Sequence, residues 1–405
     1  MSAESAEGAV RDAARRARDC GAKLLDAGLE RRVEAISEAI AELQSTEGQD
    51  AQQLRSELHA STGLSPQMVQ WGLASAANTF EGSALSSLAR GAASDGTAPP
   101  SLVAVVLSGN VFTAPLRALA LPLLIGAPVV CKASSRDDVL VHALARELRE
   151  ADPELGEALQ VLTFGRDDRA ALSALLEGAS HVSAYGDDDS VAQIERAAPD
   201  GTPVVKHGQG LGAIYIPWQC LRDARSAQAV ARRVAIDVCA YDQRGCLSPH
   251  FVLVQSGGAV DASGFARLLH DQAMDEMQNL LPRGVLDGAA EAQQMQWRGV
   301  ASNRGELLTG AAYAVACEGK HAPRLSPGYR NVGVYDCASP LDCAELLQPF
   351  EDHVKVIGVG KGAGARDALL AELGDDAPYL CDLGTMQTPP LDAPQDGKPP
   401  LHGLR

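Results

Sequence analysis

The segment Asp242-Gln243-Arg244-Gly245-Cys246-Leu247-Ser248-Pro249 sets one cysteine in a polar, glycine-bearing loop between a helical run and a strand. A thiolate in such a loop is a good nucleophile, because loops expose side chains and backbone amides lower a thiol pKa. The competing reading is a small buried hydrophobe, the common fate of a free cysteine. His250 builds no triad with it, being too close in sequence and at a strand start. Ser108-Gly109-Asn110 closes a buried apolar run. An Asn there can aim its amide into a crevice and, with the backbone N–H of the nucleophile, form a two-donor oxyanion hole. It can equally cap a helix. Lys132, Ser134, Ser135 and Arg136 follow a second apolar run. A cation and hydroxyls at a strand end and helix start suit a phosphate or ribose; a snorkelling lysine and an ordinary serine cap are the plainer alternative. In Lys206-His207-Gly208-Gln209-Gly210-Leu211-Gly212 the glycines permit close backbone approach to a ligand, and His207 is a packed histidine or a base. Neither a GxGxxG fingerprint nor a P-loop is present.

The elements that position these residues are legible in the apolar pattern. Leu24, Leu25, Leu29, Val33, Ile36, Ile40 and Leu43 recur at three- and four-residue steps and predict an amphipathic helix. Ser65 and Pro66 open another, as cap and first helical residue. From residue 101 short apolar runs alternate with helical stretches: 102–107, a helix from Ala114 to Leu124 with Pro122 as a kink near its end, 128–132, a helix through Leu148, 159–164 and 181–185. That alternation predicts βαβ units and a parallel sheet with helices on both faces. Ligands bind such sheets at the carboxyl ends of the strands, where Asn110, Lys132, Gly165 and Gly186 fall. A second α/β unit starts near residue 212, with strands at 213–216 and 251–255 and helices at 222–238 and 262–280. The reading is an N-terminal helical segment over 1–60, a nucleotide-binding domain over 61–211, a catalytic domain over 212–375 and an extended arm over 376–405.

Composition narrows the function. The 405 residues suit two or three domains at about 100–200 residues each. Fifty-two acidic side chains against 35 basic ones give a formal charge of −17, which argues against nucleic acid and against a polybasic membrane anchor. No apolar stretch is long enough for a membrane span, and the N-terminus lacks the apolar core of a secretory signal. Nine cysteines without a CxxC pair fit neither a disulfide scaffold nor a zinc ribbon. The expectation is a cytoplasmic protein with reduced thiols and no metal.

The order of these segments resembles the aldehyde dehydrogenase superfamily, and within it the acyl-CoA reductases of the LuxC family. Residues 62–69 (Thr-Gly-Leu-Ser-Pro-Gln-Met-Val) look like that family's early helix, Ser108–Asn110 through Lys132–Asp137 like its nucleotide-binding core, and Ala184-Tyr185-Gly186-Asp187-Asp188-Asp189 stands where aldehyde dehydrogenases carry an FTGS turn. The block from Asp242 to Pro249 is similar to the catalytic block, and Met386–Asp392 with Asp396-Gly397 to the terminal motifs. Coverage is roughly 60–405, with none seen in 1–55. The resemblance implies an aldehyde-dehydrogenase-like fold, a Rossmann-like cofactor domain beside a catalytic α/β domain, and a homo-oligomer. It implies attack of Cys246 on an acyl-CoA, an oxyanion held by Asn110 and the Cys246 amide, and hydride reduction of the acyl-enzyme to an aldehyde. Lys132, Ser134, Ser135, Arg136, Gly165, Gly186, Asp187 and Gly210 become the cofactor-binding set. Oxidising relatives carry a Glu where His207 stands here, so hydrolysis of the thioester is expected to be slow. They also carry a Glu in a KPSE segment that reads Lys132-Ala133-Ser134-Ser135 here. Its loss, with Arg136 added, favours NADPH over NADH. Reduction of an acyl phosphate, or acyl transfer by the same cysteine without hydride chemistry, are the alternatives.

Overall fold

The computed structural model describes residues 3–93 and 97–404. Residues 1 and 2 of the expected helical segment, residues 94–96 of the expected nucleotide-binding domain and Arg405 of the expected arm lie outside them. The first sheet has the order β3-β2-β1-β4-β5 and is wholly parallel. Its strands are β1 (Val103–Val106), β2 (Val129–Lys132), β3 (Leu159–Leu162), β4 (His181–Tyr185) and β5 (Val204–His207). The apolar run of β1 is explained by two-sided burial: Val103 and Val105 enter one core, Ala104 and Val106 the other. Helices cover both faces, as the alternation predicts. Strand order reverses between β1 and β4, so a crevice opens at their carboxyl ends, where Val106 pairs with Lys132 and with Ala184.

The second sheet, β12-β11-β6-β7-β10-β9-β8, is parallel except for its β8–β9 edge pair. It comprises β6 (Leu211–Ile216), β7 (Pro249–Gln255), β8 (Glu306–Thr309), β9 (Ala314–Gly319), β10 (Asn331–Cys337), β11 (Val354–Val359) and β12 (Tyr379–Asp382). The stretch expected to be an arm from residue 376 first supplies this edge strand, and strand-free chain begins at Leu383.

The helix expected through Leu24–Leu43 is two helices, Ala3–Asp26 and Gly28–Gln44. Gly28 turns the chain with φ 78°, a left-handed value that glycine adopts freely. The break lets the first helix lie on Arg169–Gly178 and the second on Val139–Ala151, so the N-terminal segment packs as part of the first unit. Ser65 caps Pro66–Thr79 as expected, its hydroxyl accepting from the Met68 amide at 3.2 Å. Pro122 stays inside Ala114–Leu124, one turn from its end, and the helix read at 262–280 is continuous but contains a π-helical stretch at Leu269–Met274.

The carboxyl ends of β4 and β5 face the amino ends of β6, β7 and β11. Chain leaving β5 at His207 needs only three residues to enter β6. The residues of chemical interest collect in this seam.

Candidate active site

Cys246 lies one turn before β7, and its side chain reaches solvent while the other eight cysteines are buried or nearly so. The buried-hydrophobe reading therefore holds for most of the cysteines and not for this one. Protein atoms crowd the thiol nonetheless, and that crowding, with the Asp396 carboxylate nearby, pushes it up to about 11. Its own backbone N–H and Lys355 act in the opposite direction.

The loop that carries it is strained in a defined way. Tyr241, Asp242 and Gln243 have φ of 50°, 53° and 59°. Three consecutive non-glycine residues in the left-handed region cost about 1–2 kcal/mol each. Buried bonds hold them there. Asp242 accepts from the guanidinium of Arg330 at 2.6 and 2.9 Å and from the Gly284 amide at 2.9 Å. Arg330 is wholly buried and is itself left-handed, at φ 66°. Gln243 donates its amide hydrogens to the carbonyls of Pro249 (2.7 Å) and Asn331 (2.9 Å). The Tyr241 hydroxyl meets that of Thr113 at 2.9 Å, and its ring sits edge-on to Trp71 and Phe112. The early helix serves the same purpose. Met68 sulfur accepts from the Tyr241 amide, and the Thr62 carbonyl from Arg244. Arg244 is thus turned toward Thr62, not offered to a substrate phosphate.

Asn110 is exposed, and the following helix starts at Ala114 with Thr113 in the cap position. Its amide is therefore not spent as a cap. The loop bridges the two halves of the site. A Cβ on Gly109 would touch the Ser134 hydroxyl at 2.7 Å, and one on Gly245 would touch Val111 at 3.1 Å. Asn110 stands between a turn at the end of β2 and the cysteine loop.

The expected cofactor residues divide into two groups. Lys132, Ser134, Ser135 and Arg136 cluster at the end of β2, where Ser134 is buried and accepts from the Arg136 amide, closing a tight turn. Ser135 and Arg136 are exposed. Lys132 sits 5.5 Å over the Phe164 ring, and its pKa is lowered by burial and by Arg166. Gly165 is exposed beside them with open space where a side chain would be. Gly186 ends β4; Asp187 caps the next helix, accepting from the Ser190 amide at 2.7 Å. Gly210 lies instead against Cys246: a Cβ there would meet the cysteine Cβ at 3.1 Å.

Several residues escaped sequence reasoning. Arg166 bonds the Ser190 hydroxyl at 2.8 Å and flanks Lys132; neither cation has a carboxylate ion pair among the described residues. His207 Nδ1 is 2.7 Å from the Asp396 carboxylate, which also takes Lys355 at 3.0 Å. The His207 ring stacks on Tyr185, centroids 4.2 Å apart. Gln387 places its side-chain oxygen 3.2 Å from where a Gly245 Cβ would be. Asp396, 189 residues beyond His207, comes from a turn whose Gln395 and Lys398 pair, and only its Asp-Gly dipeptide hinted at it. Among the described residues no three His, Cys, Asp or Glu side chains are grouped to hold a metal ion, and no helix is long and apolar enough to cross a membrane.

Comparison with known proteins bears on the fold and the family. Aldehyde dehydrogenase 21 from Physcomitrella patens superposes with a TM-score of 0.72 at 13% identity, covering 98% of this chain and 88% of that one. The fold is that of the aldehyde dehydrogenases. The long-chain acyl-protein thioester reductase of Aliivibrio fischeri is 26% identical over 148 residues, 35% of this chain and 29% of that protein. Long-chain acyl-protein thioester reductase 2 of Photobacterium leiognathi is 25% identical over 182 residues, 44% of this chain and 36% of that protein. These matches span about a third of the length of the curated relatives. A family model described as acyl-CoA reductase (LuxC) matches residues 17–405, which takes in the N-terminal helices where no resemblance was read. The sheet order, the seam with its accessible cysteine and this match over nearly the whole length carry one conclusion: the chain belongs to the LuxC acyl-CoA reductase family.

Proposed function

We propose that the protein reduces a fatty acyl thioester, acyl-CoA in the first instance, to an aldehyde with NADPH as reductant. The observation that carries the reading is an exposed thiol, Cys246, in a loop that packs against the Asn110 loop through Gly245 and Val111, with Asn110 itself exposed. In this reading Cys246 Sγ attacks the thioester carbonyl and expels the carrier thiolate. Negative charge that gathers on the carbonyl oxygen is met by the Asn110 amide and the Cys246 N–H. The acyl group is then held on Cys246 as a thioester, and a nicotinamide cofactor, when bound in the crevice, would supply the hydride that reduces it.

The residues at the end of β2 fit that cofactor. Lys132 and Arg166 are like charges brought close; the Asp187 carboxylate acts on Arg166 from beyond ion-pair distance, and a 2′-phosphate would give both cations the direct anionic partner they lack among the described residues. Arg136 and Ser135 are exposed alongside, and open space at Gly165 leaves room for the adenosine end. With the formal charge at −17, this is the local basic exception that two polyanionic ligands need.

The test is loss of NADPH absorbance with acyl-CoAs from acetyl to palmitoyl, and with an acyl-protein thioester in parallel. Turnover should appear with long chains and vanish in Cys246→Ala. Lys132→Ala and Arg166→Ala should each raise KM for NADPH about tenfold or more while moving KM for NADH little, since each removes a charge-assisted contact of about 1.5–3 kcal/mol. No oxidation with any donor, or full activity in Cys246→Ala, would sink the reading.

A further inference from the structure

We propose that His207, oriented by Asp396 from the C-terminal turn, is the proton carrier for acyl transfer to Cys246. The inference rests on the reading of Cys246 as nucleophile and adds the base that it needs. The thiol has to lose a proton to attack, and its surroundings oppose that: crowding by protein atoms and the Asp396 carboxylate both favour the protonated form. An unassisted thiolate is therefore scarce at neutral pH.

The seam holds an imidazole suited to take the proton. Asp396 binds His207 at Nδ1, which fixes the proton on that nitrogen and leaves Nε2 as the acceptor. Stacking on Tyr185 holds the ring plane. Lys355 pairs with the same carboxylate at 3.0 Å and is close enough to Cys246 to stabilise a thiolate. Gly210 allows this approach: any side chain there would strike Lys355 Cγ at 2.6 Å and the Cys246 carbonyl at 3.1 Å. Charged and titratable groups face the dyad from every neighbouring element. Asp396 comes from the terminal turn, Lys355 from β11 and Tyr185 from β4, while Asp188, from the helix after β4, accepts from the Gln209 amide two residues beyond His207 and pairs with His353. Arg117 reaches Tyr185 from the helix after β1.

The step balances without an added reagent. The Sγ–H proton passes to His207 Nε2 as the Sγ–carbonyl bond forms. The carbonyl–carrier sulfur bond then breaks, and the carrier thiolate leaves with the proton that Nε2 returns. His207 is thus catalytic and Asp396 a positioning residue.

The experiment follows acylation of the full-length chain by decanoyl-CoA and palmitoyl-CoA without reduced cofactor, by intact mass against time and pH. Wild type should acquire one acyl group on Cys246, with a rate that bends once with pH as a titrating imidazole requires. His207→Gln should acylate about 10²–10⁴-fold more slowly and lose the bend. His207→Ala should regain rate on addition of imidazole. Asp396→Asn should fall about tenfold or more with a displaced bend, and Asp396→Glu should recover part of the loss. Thermal melts establish which variants are folded. Wild-type rate and an unchanged bend in folded His207→Gln, or no gain from imidazole in folded His207→Ala, overturns the proposal. No adduct on wild type with either donor overturns the nucleophile reading beneath it, so the two failures are distinguishable.

Discussion

Asn110 shows how little of a side chain's role is written in its own type. The residue after a buried strand is a cap or an oxyanion donor, and only the position of the helix start separates them. With that start at Ala114, Asn110 lies outside the helix cap and is exposed. Asn110→Ala should lower kcat about 10²–10³-fold with little change in cofactor KM, because the lost bond matters when charge builds on the carbonyl oxygen. Steady-state kinetics with the best acyl-CoA measure this. A loss confined to KM would return Asn110 to a binding role. His207 makes the same point. Its type said base or packing residue, and only the tertiary structure sets its Nδ1 against the Asp396 carboxylate.

At the scale of elements, the Asp-Gln pair of the cysteine motif is explained by backbone shape. Asp242 and Gln243 are buried, and their side-chain bonds hold three left-handed residues in place so that Gly245 and Cys246 arrive in the seam. The second left-handed pair, Tyr329 and Arg330, interlocks with the first, the Tyr329 amide donating to the Asp242 carbonyl at 3.0 Å. Arg330→Met should therefore cost about 3–5 kcal/mol, because Asp242 would remain buried without its partner. Urea unfolding of both proteins gives the number. A change below about 1 kcal/mol would mean the loop keeps its shape by packing alone. The motif itself was legible in the sequence, but its reason was not: Asp242 and Arg330 stand 88 residues apart.

Across the whole molecule, the C-terminal arm ties the two units together. Arg117 of the first unit donates to the carbonyls of Pro390 and Ala393, while Leu391, Leu401 and Leu404 enter the core. At its start, Asp237 accepts from the Gly384 and Met386 amides at 2.6 and 3.0 Å. Burial pushes that carboxyl up to about 7 against an ordinary 3.8, its two amide bonds offsetting the shift only in part. Between those values the folded protein keeps a proton that the unfolded chain gives up. The contribution to stability is complete below about pH 4 and is lost as pH rises through about 7. The melting temperature of wild type should thus fall over that interval more steeply than that of Asp237→Asn, and scans at pH 4.5, 6 and 8 compare the slopes. Parallel slopes would remove Asp237 as the cause.

The sequence by itself determined the local features. Apolar runs that alternate with helical periods set the parallel sheets, because strands buried on both faces need unbroken apolar side chains. The cysteine loop, the Asn loop and the Lys132 turn were legible as candidates for the same reason: each is a contiguous stretch whose residue types suit the chemistry proposed for it. Tertiary structure alone decided what met what. It placed Gly210 at the cysteine, spent Arg244 on Thr62 and Asp187 on a helix cap, set Arg166 beside Lys132, and brought Asp396 back to His207. Those pairings join residues whose separation leaves no periodic trace, since they depend on how two sheets and an arm close on one seam.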